Sequence, residues 1–221
     1  TDNRYCAQQA DLVILAVKPQ VMADVCRDIA PMVQNTRPLM VSIAAGLEAG
    51  TLDQWLGGGL PLVRVMPNTP SLVGKGAAGL FANDQVSDKQ KQMVEKVFSS
   101  IGSALWVNEE HLLHAVTALS GSGPAYFFLM LEALEEAATE AGIDPETARK
   151  LAIQTMAGAA EMAGRSEHDP AQLKRNVMSP GGTTERAIHT FEDGGLRELV
   201  KKAYSAAFSR SEDMAKELAN Q

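Results

Sequence analysis

Residues 120–142, SGSGPAYFFLMLEALEEAATEAG, decide how the rest of the chain is read. Two Ser-Gly pairs precede Pro124, a residue tolerated in a first helical turn because the N–H it lacks would be unpaired there anyway. Ser122 is the natural N-cap and Gly142 the natural stop. Between them, residues 126–131 are apolar on every face, which in a helix means burial in a large core or against a partner chain. Glu132, Glu135, Glu136 and Glu140 then give the second half a wet side. The stretch reads as one long helix, sealed in its first turns and surfacing at its tail. A second Gly/Ser/Thr-rich helix entrance follows at 179–184, SPGGTT, and two such entrances in one helical half suggest a shared anion or cofactor site.

Upstream the pattern changes. Residues 12–17, LVILAV, form a continuous apolar run closed by Lys18-Pro19, the signature of a buried parallel strand. Residues 39–45 and 62–66 repeat it, and 77–81 and 103–107 are expected as further strands. Helices are expected at 20–33, 51–56 and 88–99, while residues 1–9 are polar and offer no strand. Strands alternating with helices imply right-handed crossovers and a parallel sheet, with the ligand outside the C-terminal strand ends. Those ends are residues 17–19, 44–46 and 66–68. Pro67-Asn68-Thr69-Pro70 is a stiff loop, because each proline restricts its own φ and the residue before it. Beyond Val107 only helices are expected: 109–119, 123–141, 145–163, 170–178, 184–193 and 195–219. The fold class is thus an α/β half followed by an all-α half.

The 221 residues suffice for one large or two modest domains. A formal net charge of −7 argues against a nucleic-acid partner and against an anionic membrane surface. No apolar run spans a bilayer, and no basic segment followed by an apolar one marks the start for secretion. Cys6 and Cys26 lack CxxC spacing, so neither a disulfide nor a zinc framework is expected, and a cytoplasmic location is the simplest assignment.

In SPGGTT the glycines let the backbone approach a ligand, and the helix that follows aims free N–H groups at it. Hydroxyls of Ser179, Thr183 and Thr184 add donors. The absence of Lys or Arg from the loop favours a single carboxylate over a polyphosphate. His111 and His114, three apart beside Glu109 and Glu110, lack a third ligand and read as a solvated helix face, so no metal site is assigned. There is no GxGxxG turn, no GxSxG elbow, no HExxH and no P-loop.

At SGSGPAYFF and NVMSPGGTTERAIHTFE the chain closely resembles the pyrroline-5-carboxylate reductase family, and the likeness continues through ADLVILAVKPQ, SIAAG and RVMPNTP. The resemblance implies a Rossmann-type NAD(P)H-binding domain over residues 1–107, without the family's first βαβ unit and its glycine-rich turn. It implies a helical dimerisation and substrate domain over 108–221. The implied reaction is reduction of 1-pyrroline-5-carboxylate, a cyclic imino acid, to L-proline with NADPH or NADH, by a homodimer or a larger assembly of dimers. Site roles follow from the same resemblance. Asn3 stands beside the adenosine ribose. Ala16, Val17, Lys18, Pro19, Ile43, Ala44 and Ala45 contact the cofactor, and Asn68 belongs to the wall near the nicotinamide. Thr117 offers a hydroxyl near the ring nitrogen. Ser179, Gly182, Thr183 and Thr184 bind the substrate carboxylate, and Glu167 is the acidic position ahead of that loop. Two other readings stay open. One is a β-hydroxyacid dehydrogenase, for which Lys150 or Lys174 would be the catalytic lysine; the other is a non-catalytic dimerising module that binds a carboxylate.

Overall fold

The apolar runs of the first half build one sheet. The computed structural model describes residues 2–219 and places strands β1 (Leu12–Leu15), β2 (Leu39–Ser42), β3 (Leu62–Met66), β4 (Gly76–Ala82) and β5 (Gly102–Trp106) side by side in that order. β1, β2 and β3 are mutually parallel, with Leu12 opposite Leu39 and Met40 opposite Leu62. Helices α2 (Pro19–Thr36) and α3 (Ala49–Trp55) form their crossovers. The parallel sheet expected from sequence has one exception at β4, which runs antiparallel to β3 with Met66 opposite Gly79. The reason is the length of the connection. From Pro67 to Lys75 there is room only for a 3₁₀ turn, Thr69–Val73, whereas a parallel return needs a dozen residues or more. β5 is parallel to β4 across helix α4 (Asp88–Ser99), which a Ser87–Gln90 capping box starts.

Alternation along the strands sorts the core into two layers. Leu15, Met40 and Leu62 face Met22, Cys26, Ile29 and Val33 of α2 and Leu52 of α3. Leu39, Val41, Val63 and Val65 face the other way, against Val94 and Phe98 of α4. The apolar runs at 12–17 and 39–45 outlast their strands because Ala16-Val17 and Ile43-Ala44-Ala45 already belong to the βα turns at the sheet's edge. Residues 3–9, unassigned from sequence, form helix α1 (Asn3–Gln9); Asp2 caps it by accepting from the N–H groups of Arg4 and Tyr5.

The second half is helical: α5 (Leu112–Val116), a π-helical turn (Thr117–Gly121), α6 (Gly123–Glu140), α7 (Pro145–Arg165), α8 (Pro170–Asn176), α9 (Thr183–Asp193) and α10 (Leu196–Ala219). Asp144 and Asp169 are N-caps with proline behind them, as their sequence pattern indicates. Ser122 is not an N-cap. It has helical φ and ψ, and its N–H donates to the Thr117 carbonyl at 2.8 Å, so α5 runs through the π-turn into α6. Of the two helix entrances expected from sequence, only the one at 179–184 is a true entrance.

By contacts the chain divides into two units, one comprising the residues up to Pro124 with those from Tyr204 onward, the other Ala125–Ala203. Within the first unit the end of α10 joins the sheet core through Leu218, and Tyr204 donates from its hydroxyl to the Ala115 carbonyl at 3.2 Å. Within the second unit, Ala148 is the only fully buried apolar side chain among the described residues.

Candidate functional site

Three of the residues expected beside the cofactor meet at β1. Asn3, at the start of α1, and Ala16 and Val17, just past β1, line one hollow of about 270 Å³ together with Cys6, Val25 and Ile29. Lys18 and Pro19 open α2 without lining that hollow; Lys18 takes the N-cap place and its carbonyl accepts from Val21. Ile43 ties the next βα turn back to the sheet, donating its N–H to the Leu15 carbonyl at 3.2 Å. Ala44 is buried in the core, so its side chain is not open to a ligand.

A second cavity, about 160 Å³, joins Ala45 and Gly46 to Thr117 and Ser122. Its remaining wall comes from α10: Ala207, Arg210, Ser211 and Met214. The structure thereby places the expected hydroxyl beside one of the expected cofactor turns. The α10 residues escaped the sequence reading, although a serine on the apolar stripe set by Ala207 and Met214 was the available signal. Arg210 is held along its own helix by Glu217, at 2.6 and 3.0 Å. Thr117 Oγ1 donates to the Leu113 carbonyl at 2.7 Å, which leaves its lone pairs to accept from a ligand. Asn68 does not line the cavity. Its Nδ2 donates to the Ser120 carbonyl at 3.0 Å and its Oδ1 accepts from the Ala77 N–H at 2.9 Å.

Beneath Thr117 on the same helical stretch, His114 corrects another expectation. It is not on a solvated face but 7% exposed, with Nδ1 2.8 Å from Ser211 Oγ and its ring edge-on to Phe208. Glu110 is equally committed, accepting from Arg64 at 2.7 Å and from the Ala49 N–H at 2.6 Å. Arg64 itself is buried on β3, so this ion pair satisfies a cation inside the sheet layer. Burial, and then the Arg64 charge, hold the His114 pKa below 6.5, against the opposite pull of Glu212, Glu48 and Glu110. A base whose folded pKa is lowered binds its proton more readily when unfolded, so stability rises with pH through that window. Wild type is therefore expected to lose melting temperature as pH falls below about 6.5, and His114→Asn to lose that part of the slope, as read by thermal unfolding between pH 8 and 5. An unchanged slope would remove His114 as its source.

In the second unit the loop at 179–184 forms the start of α9. Gly181 has φ +71°, a backbone setting that favours glycine. Gly182 takes the N-cap place of α9, and its N–H is used internally, donating to the Ser179 carbonyl at 2.9 Å. Glu185 accepts the Gly181 N–H at 2.7 Å, and Arg186 is the first residue of α9 to bond back, to the Gly182 carbonyl. The N–H groups of Thr183, Thr184 and Glu185 therefore point out of the helix end without a partner among the described residues. Glu167 lies exposed in the connection between α7 and α8. The helices flanking the loop are pinned at its base. Lys174 of α8 pairs with Glu192 of α9 at 3.1 Å, and Arg197 of α10 pairs with the same carboxylate at 2.7 Å. Arg197, and after it Lys174, hold the Glu192 pKa down to about 2.

Residues 110–214 match the family model described as pyrroline-5-carboxylate reductase dimerisation, and residues 1–46 match one described as NADP oxidoreductase, coenzyme F420-dependent. The chain is 48% identical to the pyrroline-5-carboxylate reductase of Pseudomonas aeruginosa over 98% of its own length and 79% of that protein's. Among solved structures it is similar to the pyrroline-5-carboxylate reductase of Coxiella burnetii, with a TM-score of 0.94 and 46% identity, covering 97% of this chain and 80% of that one. It is also similar to the Plasmodium falciparum pyrroline carboxylate reductase with NADP bound, with a TM-score of 0.88 and 34% identity, covering 97% and 81%.

Proposed function

We infer that this chain, which belongs to the pyrroline-5-carboxylate reductase family, reduces 1-pyrroline-5-carboxylate to L-proline with NADPH or NADH, the final step of proline biosynthesis. The observation that carries the site assignment is the cavity joining Ala45 and Gly46 to Thr117. The residues present suit a dinucleotide. Small side chains at 16, 44, 45 and 46 leave the backbone of both βα turns open to it, and Asn3 sets a carboxamide on the rim of the β1 hollow. In this reading Asn3, Ala16, Val17, Lys18 and Pro19 hold its adenosine half, and Ile43, Ala44 and Ala45 its nicotinamide half.

When bound, the reduced nicotinamide supplies the hydride that goes to C5 of the cyclic imine. The chain's own groups orient the two molecules, an effect worth up to about 7–11 kcal/mol of the barrier. Thr117, its hydroxyl hydrogen directed to Leu113, accepts from the N–H of the protonated ring and so holds the iminium form, whose C5 is electrophilic. Ser179, Thr183 and Thr184 hold the substrate carboxylate with their hydroxyls and the free helix N–H groups, the loop of one copy serving the nicotinamide site of the other in the dimer, while Gly182 shapes the loop and Glu167 adds a carboxylate ahead of it. Assay of the intact enzyme with 1-pyrroline-5-carboxylate and each reduced nicotinamide tests the reading; no cofactor oxidation above background would end it.

The lysine-dependent dehydrogenase reading fares worse against the geometry. Lys174 is fixed on Glu192, and Lys150 on Glu146 one turn away on α7, at 2.6 Å. Lys174→Met is accordingly expected to leave kcat within about threefold of wild type, since a solvent-screened ion pair contributes little. Complete loss of turnover with normal folding would revive the lysine mechanism. The working unit is a homodimer, and sedimentation at micromolar concentration reads both it and any closed assembly of dimers as a heavier species. A cytoplasmic location completes the proposal, consistent with two free thiols, and fractionation of cells expressing the protein checks it.

A further inference from the structure

Thr117 enters its cavity from a π-helical turn, which closes a wider ring than an α-turn and recurs at functional sites. The sheet holds that turn closely. A Cβ on Gly79 of β4 would come within 2.7 Å of Val116 Cγ1, and one on Gly121 within 2.5 Å of Met66 Cε, so both glycines allow the turn to rest on β3 and β4. Asn68 sits where the two strands part. Met66 faces Gly79 in the last recorded pair of that ladder, Pro67 has no N–H to continue it, and the Asn68 side chain takes over by accepting from Ala77. With its other end the same carboxamide donates to the Ser120 carbonyl inside the turn.

We propose that Asn68 is a positioning residue, fastening the Ser120 carbonyl to the start of β4 and so setting where the Thr117 hydroxyl stands in its cavity. The inference rests on the assignment of Thr117 to the substrate's ring nitrogen. It moves Asn68 from a cofactor contact to a brace: one carboxamide hydrogen and one lone pair are already engaged by protein backbone, and the side chain is absent from the cavity wall.

Asn68→Asp is the sharpest probe, because it keeps shape and the acceptor for Ala77 but turns a second acceptor toward Ser120. In the intact enzyme above pH 7, kcat is expected to fall about tenfold while KM for NADPH stays within about twofold. In a Thr117→Val background the same substitution is expected to change kcat by less than about twofold, since the hydroxyl it misplaces is gone. If Asn68→Asp fails to fold, Gly121→Ala perturbs the same turn against the flexible end of Met66, and the same loss of effect on Thr117→Val is expected. A raised KM for NADPH with unchanged kcat would restore Asn68 to the cofactor. A tenfold loss persisting in the Thr117→Val background would place its action elsewhere. Thr117→Val with undiminished kcat would remove the Thr117 assignment and the inference together.

Discussion

Phe128→Glu is expected to abolish the dimer and the activity together. Phe127, Phe128 and Leu129 are 61%, 64% and 65% exposed in the single chain, although α6 is apolar on every face there. A unit of helices ordinarily buries its apolar stripes against one another around a shared core. Residues 125–203 bury one alanine fully and leave Leu134, Leu151, Ile153 and Met162 open as well. So large an open apolar surface is suited to burial against a second copy, in accord with the matched dimerisation model. Phe128 lies in the groove between α6 and α7, already lined by Glu132, Glu135, Glu136 and Glu140 against the one cation Arg149. A further carboxylate there is buried unpaired, and two-fold symmetry counts it twice.

The dissociation constant is therefore expected to rise by more than about 100-fold, a hot-spot-sized effect. Activity is expected to follow because the loop proposed to take the substrate carboxylate lies between α8 and α9, in the same unit as the open apolar surface. Sedimentation and turnover measured on the same sample decide it; a stable, active Phe128→Glu dimer would sink the prediction, and an active monomer the role of the dimer itself. An interface of more than roughly 2,000 Å², mostly apolar, goes with this picture.

Which features were legible in the sequence follows from how local their causes are. The strands at 62–66 and the helix at 88–99 are written in short-range pattern and bounded by prolines or a capping box, and they stand where expected. The reversal of β4 was also legible, because the connection through Pro67 and Pro70 is too short for a crossover; alternation alone concealed it. The Ser122 entrance misled, since Gly and Ser beside proline start helices often, yet here the π-turn uses the amide that an entrance would leave free. His114 was beyond local reading: its burial depends on Ser211 and Phe208, supplied by a helix near the other end of the chain. The same distance hid the α10 wall of the Thr117 cavity. In the loop at 179–184, residue types pointed to backbone and hydroxyl donors at a helix start but not to the division of labour between its two glycines.

That division gives the second large effect: Gly182→Ala is expected to cost about 100-fold in kcat/KM for 1-pyrroline-5-carboxylate, mostly through KM, as misplacements on the order of 1 Å at a binding site do. Gly182 has φ −80°, which any residue adopts, so backbone strain is not the cause. The cause is space. An added Cβ would lie 2.9 Å from the Ser179 carbonyl oxygen and 3.4 Å from Ser179 Cβ, and the first of these is backbone that cannot turn aside as a side chain can. The same carbonyl accepts the Gly182 N–H, so relieving the contact breaks the bond that folds Ser179 back over the start of α9. Gly181 is the contrasting case. Its φ of +71° makes alanine strained, but nothing lies within 4 Å of the new Cβ. Gly181→Ala should thus lower stability by roughly 1 kcal/mol and leave KM within a few-fold. Steady-state kinetics of the two variants beside their melting curves separate the effects. A Gly182→Ala enzyme with unaltered KM, or a Gly181→Ala enzyme with the larger rise, would mean that the loop does not receive the carboxylate through the Ser179–Gly182 fold.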